Sequence, residues 1–375
     1  MNRPLHVTVL VSNDLVFDQR VKKTCDTLIR EGFNITLVGR KLKGSKPIDR
    51  PYKTVRFRLP FTKGAFFYAC LNLRLLFFLL FKKTDVILAN DLDTLAPAFL
   101  VARLRGLALV YDSHEYFTEA AGLTHRTIPK RTWELIEGFI FPRLRHVYTV
   151  NETIANIYRE KYHVNVKVVR NIPTESSQPP KLSMADLNLP EDKKIVILQG
   201  AYLDIDRGAK EAALAMQYLD DVLLVVIGEG QEMSIVREIA ERPGIKGKIA
   251  VFGKMPFEQL QQYTMQAALG LSLDKDTHLN YKYSLPNKLF DYLRAGIPVL
   301  TSKLPELVRI IEAKKIGTFI SSHEPIDLAR DIRSALGNPN LPVWKQNATE
   351  AGKEFSWENE ARTIVQIFGE IKKGG

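Results

Sequence analysis

The chain reads as an α/β protein of two doubly wound domains, each a parallel sheet flanked by helices. Three observations predict this. Apolar, strand-like runs alternate with helical segments from end to end, the pattern of parallel strands joined by βαβ crossovers. The 375 residues suffice for two domains at the usual ~100–200 residues each. The alternation is interrupted once, at residues 173–186, by a stretch rich in Pro, Ser and polar residues, as a linker would be. The expected boundaries are residues 1–172 and 187–355, followed by a final helix over 356–375.

In the first half, strands are predicted at 6–12, 34–40, 85–91, 108–115, 146–152 and 166–173. A helix over 18–32 ends at Gly32, and another occupies 96–106. In the second half, strands are predicted at 194–200, 223–230, 248–253, 269–273 and 298–302. The last helix has Ser356 as its expected N-cap. Glu358 and Glu360 lie in its first turn, where the helix dipole favours negative charge.

Residues 66–81, FFYACLNLRLLFFLLF, are apolar nearly all round. Sixteen residues are too few for a membrane span, which needs ~20, and Arg74 interrupts them. Two readings follow: a helix covered on all sides, or a helix lying on an anionic membrane with the basic flanks of segment 63–83 at the headgroups.

The net charge is +11, and it is uneven. Residues 1–180 carry 28 Lys+Arg against 16 Asp+Glu, and residues 181–375 carry 25 against 26. The first half therefore suits an anionic partner, such as a membrane or a lipid-phosphate acceptor; a diffusely basic surface is the plainer alternative. A nucleic-acid partner is not expected, because no aromatic–basic interleaving marks a recognition module. Two cysteines, Cys25 and Cys70, make neither a disulfide framework nor a zinc site. The expected setting is the cytoplasm, with peripheral attachment to the inner face of the membrane. The N-terminal apolar run is too short for a signal sequence and reads as a first strand.

The most informative segment is residues 284–302, SLPNKLFDYLRAGIPVLTS. It reads as a loop, a short helix stopped at Gly296, and a strand. Pro286 suits a first helical turn. Asn287, Lys288 and Asp291 then share a helix face. A cation, a carboxylate and backbone N–H groups together suit a phosphate and a hydroxylated sugar, and so a nucleotide-sugar. Other loops at strand C-termini fit the same ligand, since open α/β sheets bind there. Gly200 leads to Arg207-Gly208, where the guanidinium could neutralise a diphosphate or pair with Asp204 or Asp206. Gly228, Glu229 and Gly230 follow another strand, where glycines permit close backbone approach.

In the first half, Asn13, Asp18 and Arg20 follow the first strand. Asp91 and Asp93 follow another, and His114 and Glu115 a third. Three such loops converge on one cleft. His114 beside carboxylates suits acid–base or substrate-binding work. Asp91 and Asp93 form a DxD pair, but a metal is not expected there. No GxGxxG follows the first strand, which argues against a nicotinamide-binding domain.

These pieces, in their order along the chain, resemble the glycosyltransferase family 4-type enzymes of GT-B fold, especially bacterial ones that build surface polysaccharide or lipopolysaccharide. The resemblance rests on SNDLVFDQRV, ANDLDTL, YDSHEYF, VVRNIP, QG…DRG, VIGEG, VFG and SLPNKLFDYLRAGIPV. It implies two Rossmann-like domains facing across a cleft, with the C-terminal helix packing back on the first. It also implies transfer from a nucleoside-diphosphate sugar to a glycan or lipid-linked acceptor, with retention and without a further cofactor. Arg207 and Lys288 would hold the diphosphate, Asp291 the ribose hydroxyls, and His114 would lie near the transferred sugar. The leaving diphosphate would help activate the acceptor. Tyr283 stands where the family often has a Glu that touches the donor sugar, so the sugar stays open. A non-catalytic nucleotide-sugar-binding partner, an epimerase or a phosphorylase on the same fold are the alternatives.

Overall fold

The computed structural model describes residues 3–16, 18–120, 122–123, 126–173 and 181–374. The chain divides into two compact units. One comprises Met1–Asn171, His278–Asn280 and Glu358–Gly375; the other comprises Ile172–Thr277 and Tyr281–Trp357. Each is built on a parallel sheet interleaved with helices, as the alternation predicts.

The first unit holds β1 (His6–Asp14), α1 (Gln19–Arg30), β2 (Asn34–Arg40), β3 (Lys53–Phe57), α2 (Ala65–Phe81) and β4 (Val86–Asn90). There follow α3 (Leu92–Arg105), β5 (Ala108–Ser113), α4 (Thr127–Ile140), β6 (His146–Thr149), α5 (Glu152–Tyr162) and β7 (Val166–Val168). The strand order is β3-β2-β1-β4-β5-β6-β7. The direction of winding reverses between β1 and β4, the place where open α/β sheets leave a crevice. All five residues of β4 are buried, which is why it reads as a continuous apolar run.

The second unit holds β8 (Lys194–Gly200), α6 (Ala209–Ala215), β9 (Val222–Gly228), α7 (Glu232–Ala240), β10 (Ile249–Phe252), α8 (Phe257–Gln266) and β11 (Leu269–Ser272). Then come α9 (Leu279–Lys282), whose Leu279 and Asn280 belong to the first unit, α10 (Lys288–Arg294), β12 (Val299–Thr301), α11 (Pro305–Lys314), β13 (Gly317–Phe319), α12 (Pro325–Leu336) and α13 (Leu341–Glu354). The order is β10-β9-β8-β11-β12-β13, with the reversal between β8 and β11. The last helix, α14 (Trp357–Gly374), carries Glu358 and Glu360 in its first turn. Its Glu360 pairs with Arg170 at 2.8 Å, and its Phe368 packs edge-on against Phe33 with ring centroids 5.6 Å apart.

Several expectations change. Strand β3 was not anticipated because it is an edge strand whose KTVRF sequence alternates and is nowhere fully buried. Strand β13, at the other sheet's edge, is not expected because its GTF is only three residues long. Of the expected linker, residues 174–180 lie outside the described residues. Residues 181–186 are attached to the second unit: Leu182 N–H donates to Gln262 Oε1 at 2.9 Å.

Helix α2 is not covered on all sides. Its buried residues are Phe67, Leu71, Leu75 and Leu79, a single stripe at four-residue spacing. Phe66, Leu73, Phe77 and Phe81 are 71%, 55%, 55% and 85% exposed. The all-round apolarity reflects two stripes, one on the core and one in solvent. Among the described residues no helix is long and apolar enough to cross a membrane.

Candidate functional site

In the second unit, three loops leave the C-terminal ends of β8, β9 and β11, and glycines bring their backbones together. A Cβ on Gly228 (φ +155°) would meet Gly200 O at 2.1 Å, and one on Gly208 (φ +77°) would meet Leu273 Cβ at 2.4 Å. Leu203 N–H donates to Glu229 O at 2.5 Å, and Lys275 N–H to Asp206 O at 2.9 Å. These bonds place Arg207, from the β8 loop, beside Asp274, just past β11. Arg207 Nη1 donates to Asp274 Oδ1. Lys288 Nζ, from the first residue of α10, donates to Asp274 Oδ2 at 3.2 Å.

Asp274 is fully buried and Lys288 is 8% exposed. Burial alone would raise the Asp274 carboxyl, but Lys288 and Arg207 hold it below the usual range. Burial lowers the Lys288 ammonium, and Arg207 adds to that against the pull of Asp274. The Arg207 guanidinium is still partly open and lies 4.2 Å from the Tyr281 ring centroid. Two cations thus share one carboxylate and keep a net positive charge at a sheet switch point. An entering polyanion would complete the neutralisation.

Asp291, also on α10, reaches the end of β8. Its Oδ2 accepts from Gln199 Nε2 at 3.0 Å, and Gln199 Oε1 accepts from Thr264 Oγ1 at 2.8 Å. Helix α10 closes on a Schellman motif. Gly296 (φ +68°) donates to Leu293 O at 3.0 Å, and Ile297 N–H to Tyr292 O at 3.0 Å.

The supply of open backbone N–H groups is smaller than the sequence predicts. Pro286 precedes the N-cap, Asn287, instead of lying in the first turn. Leu289 N–H is taken by Pro286 O at 3.1 Å and Phe290 N–H by Asn287 O at 3.0 Å. At α6, the Ala209 and Lys210 N–H groups donate to Glu232 Oε2 at 3.1 and 3.3 Å. The positive charge here is carried by side chains.

In the first unit, the loop ends of β4 and β5 form a charged cluster. Asp91 adopts φ +60°, a conformation few non-glycine residues take. Its Oδ1 accepts from His114 N–H at 2.8 Å, and its Oδ2 lies 3.3 Å from His114 Nδ1. His114 Nε2 lies 3.2 Å from both Asp112 Oδ2 and Asn90 Oδ1. Burial opposes charge on this ring, but Asp91 and Asp112 outweigh it and raise its pKa to about 9. Burial raises Asp91 and Asp93 to about 6. Asp93 Oδ1 has no hydrogen-bond partner among the described residues. Burial, with Asp91 nearby, also raises Glu115.

Comparison with known families decides the class. The family described as "Glycosyl transferases group 1" matches residues 181–353, and "Glycosyltransferase Family 4" matches residues 19–174. The chain belongs to the GT-B glycosyltransferases. No curated protein sequence matches it. Solved structures share the fold. A sucrose-phosphate synthase from Thermosynechococcus elongatus is 16% identical with a TM-score of 0.76, covering 99% of this chain and 100% of its own. WaaG, a glycosyltransferase involved in lipopolysaccharide biosynthesis, is 15% identical with a TM-score of 0.69, covering 96% and 98%. Anabaena HepE in complex with UDP and glucose is 14% identical with a TM-score of 0.72, covering 98% and 100%.

In this glycosyltransferase, Arg207 and Lys288 converge, and Gly200, Gly208 and Gly228 frame their loops. Glu229 and Asn287 are exposed beside them. Asp91, Asp93, His114 and Glu115 gather in the first unit. Two expected acceptor-side residues have other duties. Arg20 is 4% exposed and binds the fully buried Asp112 through Nε at 2.9 Å and Nη2 at 2.7 Å. Its Nη1 donates to Val169 O at 2.8 Å, so it braces the core and is not at the mouth. Asp18 caps α1, accepting Val21 N–H at 3.0 Å. Asn13 is exposed at the end of β1. The ion-pair partner foreseen for Arg207, Asp204 or Asp206, is in fact Asp274. Sequence reasoning missed Asp274, although a carboxylate just past a strand end is the signal that drew attention to Asp91 and Glu115.

Proposed function

We propose that this glycosyltransferase moves a sugar, with retention of anomeric configuration, from a nucleoside-diphosphate sugar to a glycan or lipid-linked acceptor in cell-surface polysaccharide synthesis. The convergence of Arg207 and Lys288 on the buried Asp274 carries the reading. Two cations held at a switch point by one carboxylate suit a diphosphate, whose charge exceeds what a single side chain neutralises. HepE, which was solved with UDP and glucose, and WaaG, involved in lipopolysaccharide biosynthesis, support the ligand class and the setting.

In this reaction the bond between the sugar C1 and the diphosphate oxygen breaks, and a bond from C1 to an acceptor hydroxyl oxygen forms. The hydroxyl proton passes to the departing diphosphate. Arg207 and Lys288 stabilise the charge that develops there, a role that otherwise falls to a divalent metal. Asp291, already accepting a hydrogen bond, is suited to the ribose hydroxyls. Gly200, Gly208 and Gly228 let the phosphates approach the backbone, and Glu229 and Asn287 flank the donor.

The first unit takes the acceptor. His114 is a cation at neutral pH with both ring nitrogens engaged, so it contributes charge and orientation instead of abstracting a proton. Asp91, Asp93 and Glu115 offer acceptors to hydroxyls.

A thermal-shift screen against UDP-, GDP-, ADP- and TDP-sugars identifies the donor. Product analysis by proton NMR then reads the anomeric configuration. An α-linked product from an α-linked donor is expected. Inversion, or donor binding with no transfer across a broad acceptor panel, contradicts the proposal.

A further inference from the structure

Helices α2, α3 and α4 lie side by side on the first unit and all leave apolar side chains in solvent. On α2 the exposed Phe66, Leu73, Phe77 and Phe81 follow helical spacing along one face. On α3, Leu100 and Leu104 are 56% and 75% exposed; on α4, Ile128, Leu135 and Phe139 are 81%, 75% and 58% exposed. The three helices are in direct contact. Arg105 Nη1 on α3 donates to Leu79 O and Lys82 O at the end of α2, at 2.6 and 2.8 Å. Phe99 on α3 meets Phe139 on α4 edge-on at 6.2 Å. Contiguous apolar exposure on this scale marks an interaction surface.

The charge around it is mainly positive, although α4 carries a half-buried Glu134 beside Lys130 and Arg131. Helix α2 contains no acidic residue, and the only one in α3, Asp93, is buried. Lys63, Lys82 and Lys83 flank α2. Beside the C-terminal end of α3 a groove of 980 Å³ is lined by Phe99, Arg103, Arg143, Arg145 and Lys372, and by Asp85 and Glu370, which pair with Arg3 and Lys167. Arg143 is stacked on the ring of Phe139, 4.4 Å from its centroid. Apolar side chains ringed by cations match an anionic lipid surface, whose acyl region takes the former and whose headgroups take the latter. A second copy of the chain fits less well, because a two-fold contact would set each basic rim against itself.

We propose that the outer faces of α2, α3 and α4 are a docking surface for an anionic bilayer, with the basic groove seating lipid headgroups. The helices lie along the membrane and do not enter it as a span. This surface goes beyond the sugar-transfer reaction and does not depend on its donor or acceptor.

Co-sedimentation of the full chain tests it, with phosphatidylcholine vesicles with and without phosphatidylglycerol. Binding is expected to the anionic vesicles and to weaken at least about tenfold without phosphatidylglycerol or in high salt. Phe77→Ser/Phe81→Ser/Leu104→Ser should weaken it by about tenfold or more with an unchanged Tm, and Arg103→Glu/Arg145→Glu should do likewise. Should the triple variant fail to fold, Phe81→Trp, a mild change at an exposed position, replaces it. Its fluorescence should shift to the blue on anionic vesicles and be quenched by brominated lipid. Three results overturn the proposal: no vesicle binding, binding indifferent to both sets of variants, or a tryptophan that stays in water on bound vesicles. A dimer in light scattering that the serine variant dissociates, without vesicle binding, would instead give the surface to a second copy.

Discussion

Lys288 Nζ lies 3.2 Å from Asp274 Oδ2, and both side chains are buried. Because Arg207 holds the other oxygen of the same carboxylate, Asp274 fixes the positions of two cations from different loops. Under the proposed mechanism these cations act on the departing diphosphate. Replacing Lys288 by Ala should lower kcat/KM about 10²–10³-fold, the usual loss for one preorganised charge-stabilising donor. Steady-state kinetics checks this, with circular dichroism to confirm the fold.

Asp274→Ala should fail differently. It strands two partly desolvated cations against each other, and breaking such a buried pair typically costs ~3–5 kcal/mol. The expected result is a lower midpoint in urea unfolding as well as lost activity. Because the Asp274 carboxyl is held below its ordinary value, its contribution is present above the usual carboxylate range and is lost as the pH falls beneath it.

The pH profile should show a plateau between about 6 and about 9. Asp91 ionises near 6 and His114 stays protonated to about 9, so both are charged only within that window. The signs for stability follow. His114 is raised above its ordinary 6.5, so its contribution is complete below that value and disappears as the pH rises through about 9. Asp91, raised from 3.8, favours the folded state at low pH and loses that contribution as the pH rises through about 6. His114→Gln should remove the alkaline limb of the activity profile, measured with saturating donor.

Arg20→Met leaves the fully buried Asp112 without its main partner. A destabilisation of ~3–5 kcal/mol is expected, measured by denaturant unfolding. A raised acceptor KM with unchanged stability would return Arg20 to the acceptor site.

Gly208→Ala should weaken donor binding by at least about tenfold. The added Cβ meets Leu273 at 2.4 Å and the backbone sits at φ +77°, so the Arg207 loop must move away from Asp274. Titration calorimetry against the donor nucleotide reads the effect.

Both sheets could be read from the sequence because their central strands are buried on two faces and appear as unbroken apolar runs. The edge strands β3 and β13 could not, since KTVRF alternates polar and apolar residues and GTF is three residues long, whereas the half-buried edge strand β10 keeps the apolar run IAVF. Arg207 and Lys288 were legible from their loops and spacing. Their link through Asp274 was not, because it joins residues 67 and 14 positions apart through sheet order alone. Arg20 shows the converse: its place after a strand suggests a mouth, while the structure turns it inward to a buried carboxylate. Helix α2 was legible in its apolarity and ambiguous in its burial, because two stripes of apolar residues look alike until one of them meets a sheet.

The central claim is that Arg207 and Lys288 together bind a diphosphate. Titration calorimetry of the wild type and of the Arg207→Ala/Lys288→Ala variant against UDP, GDP, ADP and TDP tests it most directly. The account predicts that one nucleoside diphosphate binds the wild type and binds the folded double variant at least about a hundredfold more weakly, a loss of ~2.7 kcal/mol. Equal affinity for both proteins would contradict it.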